Sequence, residues 1–272
     1  MSDDAKLNAY FERIGFSGSI APNIQTLDVL HRLHPASIPY ENLDTLMGLP
    51  VSLDLRAVEA KLLNGRRGGN GFEHNRLFLA VLTTLGFEAR PHRARVLSNG
   101  ADRESSASDD HTVITVNLVG ITYLADVGLS GPTLTAPLKL RSGVEQETPH
   151  GLFRLTGDEP IFTLEAQVGN EWRPFYSFDA EEPLAGPGDA GGTSSRPSRT
   201  LLAARALETK RFTLVNTRLT TYPIDGPSET VELTSVEEIR EALATVFGIA
   251  LPSAELLDPA LSKVLAPGDA QA

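Results

Sequence analysis

Apolar residues in the first part of the chain recur with helical spacing. They fall every three or four positions from Ala5 to Ile14, from about Asn23 to His34, and again from Asp54 onwards, as they do in amphipathic helices. A strongly apolar run from Phe72 to Leu85 follows. We therefore predict a set of helices, the second of which ends before Pro35.

From Phe87 the pattern changes to short runs rich in β-branched and aromatic residues. They are separated by turn residues, with a hairpin-like turn at Gly169-Asn170. The runs are Ala89 to Leu97, Thr112 to Leu118, Thr122 to Val127, Leu152 to Leu155, Phe162 to Val168 and Trp172 to Phe178. Short strands at this spacing predict a small barrel or a sandwich.

The last part of the chain mixes both patterns. Ala185 to Arg199 lacks large apolar residues and is predicted to be a mobile loop. Beyond it we predict a short helix at Leu201 to Glu208, a hairpin around Ile224-Asp-Gly226 and an amphipathic helix from Ser235 to Phe247. The fold class is therefore α+β, in three parts: helices at 1–86, strands at 87–199 with the loop at 185–199, and a mixed unit at 200–272.

Composition narrows the classes of partner. The chain has 272 residues, and its 41% hydrophobic and 22% charged content is ordinary for a soluble globular protein. Its net charge of −11 argues against nucleic acid or an anionic membrane as the main partner. No apolar run approaches the roughly 20 residues of a membrane helix. The acidic start, Met1-Ser-Asp-Asp4, is unlike a secretory signal, so we expect a cytoplasmic protein.

The chain contains no cysteine. This excludes disulfides, thiolate metal sites and every mechanism in which a thiol of the protein is the nucleophile.

His111 and Asp126 are candidates for general-base chemistry. His111 begins a predicted strand, Asp126 ends the next one, and Gly120 makes the turn between them. In such a hairpin the two side chains approach each other, and a carboxylate then fixes the tautomer of the imidazole and stabilises its cation. A surface pair without function is the other interpretation of this spacing.

A glycine-rich turn from Gly65 to Gly71 precedes the apolar helix. Glycines allow close backbone approach and helix N-termini attract anions, so with Arg66 and Arg67 this turn is a candidate phosphate cradle. It has neither the lysine of a P-loop nor the spacing of a dinucleotide fingerprint. We favour the interpretation as a structural turn.

The remaining histidines give weaker signals. His31 and His34 are three residues apart on one predicted helix, but no third ligand follows at a recognisable spacing. We therefore expect them to form a surface face, and we predict no metal site. His74 lies near the start of a buried helix, where packing or capping is the expected role.

Several segments, in order along the chain, resemble the arylamine N-acetyltransferase family. The central one, Arg67-Gly-Gly-Asn-Gly-Phe-Glu-His-Asn75, is similar to that family's signature, Arg-Gly-Gly-x-Cys-x-Glu-x-Asn. The others are Ile38-Pro-Tyr-Glu-Asn-Leu43, His111 with Tyr123-Leu-Ala-Asp-Val-Gly128, Trp172-Arg-Pro-Phe-Tyr-Ser-Phe-Asp179, and Arg211 through Asn216-Thr-Arg-Leu-Thr220 to Asp225-Gly226.

The resemblance implies a fold and a mechanism. The fold is an N-terminal helical bundle, a central β-barrel and a C-terminal α/β lid, with a Cys-His-Asp triad. Members move an acetyl group from acetyl-CoA to the cysteine and then to an arylamine or hydrazine, and close relatives form amides or close rings on acyl chains. His111 and Asp126 match the histidine and aspartate, Glu41 and Arg67 match a structural acid–base pair, and Gly71 falls on the cysteine.

Three hypotheses follow from the glycine at the nucleophile position. In the preferred one, His111 and Asp126 catalyse non-covalent acyl transfer, amide formation or cyclisation, and the space left by Gly71 admits water or a bulky substrate. The donor is acetyl-CoA or another acyl thioester, on CoA or on an acyl carrier protein, and the acceptor is a small molecule such as an aromatic amine. The second is a pseudoenzyme that binds CoA, an aromatic ligand or a protein. The third is an acetyltransferase inactivated by Cys→Gly substitution.

Overall fold

A computed structural model describes residues 3–97, 111–185 and 198–266. The predicted mobile loop at 185–199 lies almost entirely outside these residues. The helices are α1 Asp3–Ile14, α2 Ile24–Ser37, α3 Leu43–Leu46, α4 Leu55–Glu59, α5 Gly71–Thr84, α6 Val236–Glu241 and α7 Ala254–Leu265, and π-helical turns extend α4 over Ala60–Asn64 and α6 over Ala242–Val246. None of the described helices is long and apolar enough to cross a membrane.

Side-chain caps set the helix starts. Asn23 caps α2 by accepting a hydrogen bond from the Thr26 N–H, and Asp54 caps α4 in the same way. The expectation that α2 ends before Pro35 was wrong, because α2 continues to Ser37. The proline lies in the last turn, where its missing N–H removes a single bond, and both His34 and Pro35 are buried.

Eight antiparallel strands form the barrel predicted for the middle of the chain. Their order is β5-β4-β3-β2-β9-β8-β7-β6, and they enclose an apolar core that includes Leu124, Phe153, Leu164 and Tyr176. The side chain of Gln146 on β6 bonds the backbone N–H and C=O of Lys139 on β5, which joins the two edges. The strands are β2 Glu88–Val96, β3 His111–Leu118, β4 Ile121–Ala125, β5 Leu138–Lys139, β6 Glu145–Thr148, β7 Gly151–Thr156, β8 Ile161–Val168 and β9 Glu171–Pro183.

A second sheet connects the start and the end of the chain. Its order is β1-β10-β11-β12-β13, with β1 at Tyr40–Glu41, β10 at Leu202–Leu207, β11 at Lys210–Val215, β12 at Arg218–Pro223 and β13 at Glu229–Glu232. Helices α6 and α7 pack against it to give the predicted α/β unit. The division of the chain at residues 86 and 199 stays a prediction.

The short helix predicted at Leu201 to Glu208 was wrong, since this segment is strand β10. Its alanine, leucine and arginine residues favour a helix when considered alone. In the fold, β10 pairs with β1 on one side and β11 on the other, and this tertiary pairing outweighs the local preference.

The histidines of the helical part are buried, so the expectation of a surface face at His31 and His34 was wrong. His31, His34 and His74 are 0%, 0% and 1% exposed. The Tyr10 hydroxyl lies 2.9 Å from His34 Nδ1, His34 Nε2 lies 2.9 Å from His74 Nδ1, and His74 Nε2 lies 3.1 Å from the Pro39 carbonyl oxygen. Burial lowers the pKa of both imidazoles, so they are neutral at pH 7. Because a carbonyl only accepts, His74 Nε2 is a donor, His34 Nε2 then donates to His74, and the Tyr10 hydroxyl donates to His34.

We expect acid to destabilise the fold through these histidines. Burial lowers the pKa of His31 and of His74 to about 4 and moves that of His34 in the same direction. At a pH between these values and the unfolded-state pKa near 6.5, the unfolded chain binds more protons than the folded chain. The contribution of these histidines to the free energy of unfolding is therefore full above pH 6.5 and is lost as the pH falls towards 4. The loss per histidine is about 1.4 kcal/mol per pH unit.

Denaturant unfolding between pH 7.5 and 4.5 measures this loss. His31→Gln, which does not titrate there, should make the pH dependence shallower by about one proton. Asp28 and Glu73, whose carboxyl pKa values are raised by burial, act in the opposite sense. A flat profile, or an unchanged slope in His31→Gln, would contradict the assignment.

Candidate functional site

His111 and Asp126 meet where two barrel strands end. His111 is the first residue of β3, and Asp126 directly follows β4. The imidazole Nε2 lies 2.8 Å from the Asp126 Oδ2, and the side chains are 5% and 0% exposed. The fold therefore brings this predicted pair together in the interior, and the alternative of a surface pair was wrong.

Asp126 makes three further hydrogen bonds, two to its carboxylate and one from its backbone N–H. Its Oδ1 accepts hydrogen bonds from Asn75 Nδ2 at 2.7 Å and from the Gly128 N–H at 2.9 Å. Its own backbone N–H donates to His31 Nε2 at 3.1 Å. Burial alone would raise the pKa of Asp126, but the charge of His111 and the hydrogen bonds from His111, Asn75 and Gly128 lower it to about 2.

This environment fixes the tautomer of His111. An ionised carboxylate only accepts, so Nε2 carries a proton, and in the neutral imidazole the lone pair is on Nδ1. Nδ1 is turned towards Gly71 and makes no hydrogen bond within the described residues. The Tyr176 ring packs on the imidazole at 5.3 Å between centroids. The pair therefore has the arrangement of an oriented general base.

The backbone of a second glycine fills the space beside Gly71. A Cβ atom added at Gly71 would lie 2.6 Å from the Gly128 carbonyl oxygen and 2.9 Å from His111 Nδ1. One added at Gly128 would lie 2.5 Å from the Gly71 carbonyl oxygen. The expected open space at Gly71 was therefore wrong, because close packing of two residues without side chains leaves no room for one.

Glu41 and Arg67 form part of a larger charge network. Arg67 Nε donates to Glu41 Oε1 at 2.8 Å, and Arg67 Nη2 donates to Asp44 Oδ1 at 2.9 Å. Lys61 then bridges Asp44 and Glu73 at 2.6 and 2.8 Å. The network thus reaches the first turn of α5, which begins at Gly71.

The same contacts bear on the phosphate cradle considered for Gly65 to Gly71. Asn70 and Glu73 form a capping box, in which each side chain accepts a hydrogen bond from the other residue's backbone N–H. The Arg67 guanidinium is already occupied by two carboxylates. These contacts agree with the interpretation as a structural turn.

Sequence reasoning missed several residues of this site. Asn75 was present in the signature segment but received no role, although it clamps both Asp126 and the Thr112 carbonyl. Lys61, in the π-helical turn after α4, was given no role, and His31 was assigned to the surface. His74 packs among buried rings, as expected. Within the described ranges, no group of three histidine or carboxylate side chains could hold a metal ion.

Comparison with known proteins identifies the family. A family model described as N-acetyltransferase matches residues 23–256. The arylamine N-acetyltransferase of Mycolicibacterium smegmatis is 37% identical over 90% of this chain and 92% of its own length. That of Escherichia coli is 35% identical over 92% and 90%. The chain belongs to the arylamine N-acetyltransferase family.

Solved structures of arylamine N-acetyltransferases share the fold. The Mycobacterium marinum enzyme in complex with CoA superposes with a TM-score of 0.87 at 31% identity, over 95% of this chain and 99% of that one. The Salmonella typhimurium enzyme gives 0.85 at 32% identity, over 95% and 98%. Both the resemblance found in the sequence and its helical bundle, barrel and α/β unit are thereby confirmed.

A side chain at position 71 should destabilise this family member. We expect Gly71→Ala to cost about 1–3 kcal/mol, since the added methyl group overlaps the Gly128 carbonyl oxygen. Gly18→Ala is the matched control: its Cβ meets only the Phe16 ring, at ordinary contact distances, so its effect should stay within about 0.5 kcal/mol. Chemical denaturation measures both, and equal stabilities would contradict the close packing at Gly71.

Removing Arg67 should leave the Glu41 carboxylate buried without its main partner. Glu41 is 1% exposed, and loss of one member of a buried pair costs about 3–5 kcal/mol. Arg67→Ala is therefore expected to lower the free energy of unfolding by that amount. Arg90→Ala, which removes the exposed pair with Glu88, should cost less than about 1 kcal/mol. Similar losses in the two variants would contradict a supporting role for the buried pair.

Proposed function

We propose that this chain transfers an acyl group directly from an acyl thioester, such as acetyl-CoA, to a small acceptor such as an aromatic amine. His111 acts as the general base, Asp126 orients it, and no acyl-enzyme forms. The observation that carries the proposal is the free Nδ1 lone pair of an imidazole held by an ionised, buried carboxylate. The absence of cysteine from the chain supports a route without a protein thiol.

The reaction needs a single proton carrier. The acceptor nitrogen attacks the thioester carbonyl carbon while its proton passes to His111 Nδ1, so the C–N bond forms as the base becomes an imidazolium. Asp126, 2.8 Å from Nε2, stabilises that cation. The C–S bond then breaks, and the departing thiolate takes the proton from Nδ1. The products are an amide and a free thiol, and the imidazole is regenerated.

The packing around Nδ1 limits the acceptor. Nδ1 faces the backbone of Gly71 and Gly128, and the His111 side chain is only 5% exposed. This close packing favours a slender acceptor, such as a primary amine, over a branched one. The same proton transfer serves an amine within the acyl chain itself, so amide formation or cyclisation on a carrier-bound chain is a variant of the proposal.

Binding without turnover is the second candidate. It is favoured by a cavity of about 790 Å³ that is lined by neither Gly71 nor His111. An acetyltransferase inactivated by a single substitution agrees less well with the contacts, because the Gly128 carbonyl oxygen occupies the place a Cβ at position 71 would need.

Release of free thiol from acetyl-CoA in the presence of an aromatic amine tests the proposal. We expect His111→Ala to lower kcat by about 10²- to 10⁴-fold, while the exposed variant Glu88→Gln keeps the wild-type rate. An acyl-pantetheine thioester in place of acetyl-CoA tests whether the donor can be a carrier-type thioester.

Four outcomes would overturn the proposal. The first three are an acetyl adduct on the protein by intact mass spectrometry, turnover unaffected by His111→Ala, and CoA-ester binding by calorimetry without turnover, which assigns the chain to the binding class. Arylamine acetylation that appears only in Gly71→Cys would assign it to the inactivated class.

A further inference from the structure

A cavity of about 790 Å³ lies between the barrel and the second sheet, away from His111. The barrel side contributes Leu152, Phe153 and Phe175, and Pro132 comes from the loop after Asp126. Strands β11 and β12 form the opposite wall, through residues that include Arg211 and Tyr222. Much of the surface is therefore apolar and aromatic, which suits the body of a small organic ligand.

Arg211 is a buried cation in the wall of this cavity. It is 8% exposed, and its Nη2 donates to the Thr133 carbonyl oxygen at 3.0 Å. Its Nε is buried, and no described residue accepts a hydrogen bond from it. Among residues 3–97, 111–185 and 198–266 no carboxylate lies within ion-pair distance of its guanidinium. Burial lowers the pKa of Arg211 to about 10, so it stays charged at neutral pH.

The neighbouring groups leave this charge uncompensated. His150 has Nε2 2.6 Å from the Leu207 carbonyl oxygen and Nδ1 2.9 Å from the Thr135 hydroxyl, so it is a neutral imidazole with both nitrogens in use. Burial and the charge of Arg211 lower the pKa of His150. The other charged residues lining the cavity, Glu147 and Arg173, are exposed and of opposite sign. An unpaired buried cation costs several kcal/mol, and an anion placed beside it would offset that cost.

We propose that this cavity binds an aromatic carboxylate, with the carboxylate paired to Arg211 and the ring packed against Leu152 and Phe175. A guanidinium is a planar fork of N–H donors that matches a carboxylate in shape and charge. The apolar wall beside it accommodates a ring and is unsuited to a hydrated inorganic anion. The inference goes beyond the proposed acyl transfer and holds whether or not His111 turns a substrate over.

The site lies within reach of the His111–Asp126 pair along the chain. Thr133, whose carbonyl Arg211 holds, is five residues after Gly128, and five extended residues span at most about 18 Å. Arg211 is therefore bonded to the same loop that carries the N–H donated to Asp126.

Calorimetry with a matched pair of ligands tests the site. 2-Naphthoate and 2-naphthamide have nearly the same shape and differ in charge. We expect the acid to bind wild-type protein at least tenfold more tightly than the amide, since a hydrogen bond to a charged group contributes about 1.5–3 kcal/mol. Arg211→Met should abolish this preference, and Arg211→Lys should reduce it. The exposed variant Arg218→Met, on the adjacent strand β12, should keep it.

Thermal unfolding without ligand separates a binding role from a structural one. If Arg211 serves a ligand, the apolar Arg211→Met variant should be at least as stable as wild type, because it removes a buried charge without a partner. Equal binding of acid and amide to wild type, or an unchanged preference in Arg211→Met, would overturn the proposal. If CoA alone, and not naphthoate, binds through Arg211, the carboxylate assignment is wrong and the site is for phosphate. Should Arg211→Met fail to fold, the wild-type comparison and Arg211→Lys still decide the question.

Discussion

The Asp126 carboxylate is the constraint on which the rest of the site depends. A charge with no access to water must have every lone pair occupied, or the fold loses several kcal/mol. The groups that satisfy it come from separate parts of the chain: His111 from β3, Asn75 from α5 and the N–H of Gly128 from the following loop. The backbone of the same residue is bonded to His31 of α2. The hydrogen bonds of this one residue therefore fix both the packing of the helices on the barrel and the orientation of the imidazole.

The position of α5 links this carboxylate to the charge network on the far side of Gly71. Asn75 fixes one turn of the helix to Asp126, while the capping box and Lys61 fix its first turn through Glu73. Because α5 is fixed at Asn75 and at its first turn, Gly71 lies against Gly128 and the Nδ1 edge of the His111 imidazole. The arrangement has little freedom, since its partners are buried charges rather than exposed side chains.

Most of the fold could be predicted from the sequence because its elements follow their local pattern. Helical spacing located α1, α2 and α5, and the β-rich runs between turns located six of the eight barrel strands. The short strands β5 and β6 were missed. Strand β10 could not be predicted from its local pattern, because its residues favour a helix. It is a strand only because β1 and β11 pair with it. The burial of His31 and His34 was likewise hidden, since a histidine on a helix shows which side it faces only when its hydrogen-bond partners, Asp126 and His74, are in place.

The candidate site shows a different limit of sequence reasoning. The resemblance marked position 71 as a missing side chain, and a missing side chain suggests empty volume. Whether that volume exists depends on the backbone opposite, which no motif describes. Here Gly128, two residues after Asp126, occupies it.

The contact between Gly71 and Gly128 links the size of the side chain at position 71 to the orientation of the His111 imidazole. A side chain can return at position 71 only if the 126–128 segment withdraws, and that segment carries the carboxylate that orients His111. Gaining a nucleophile and keeping the present geometry of the base are therefore in conflict. A covalent mechanism at position 71 therefore requires this backbone segment to shift, and the shift would change the hydrogen bonds that orient the imidazole.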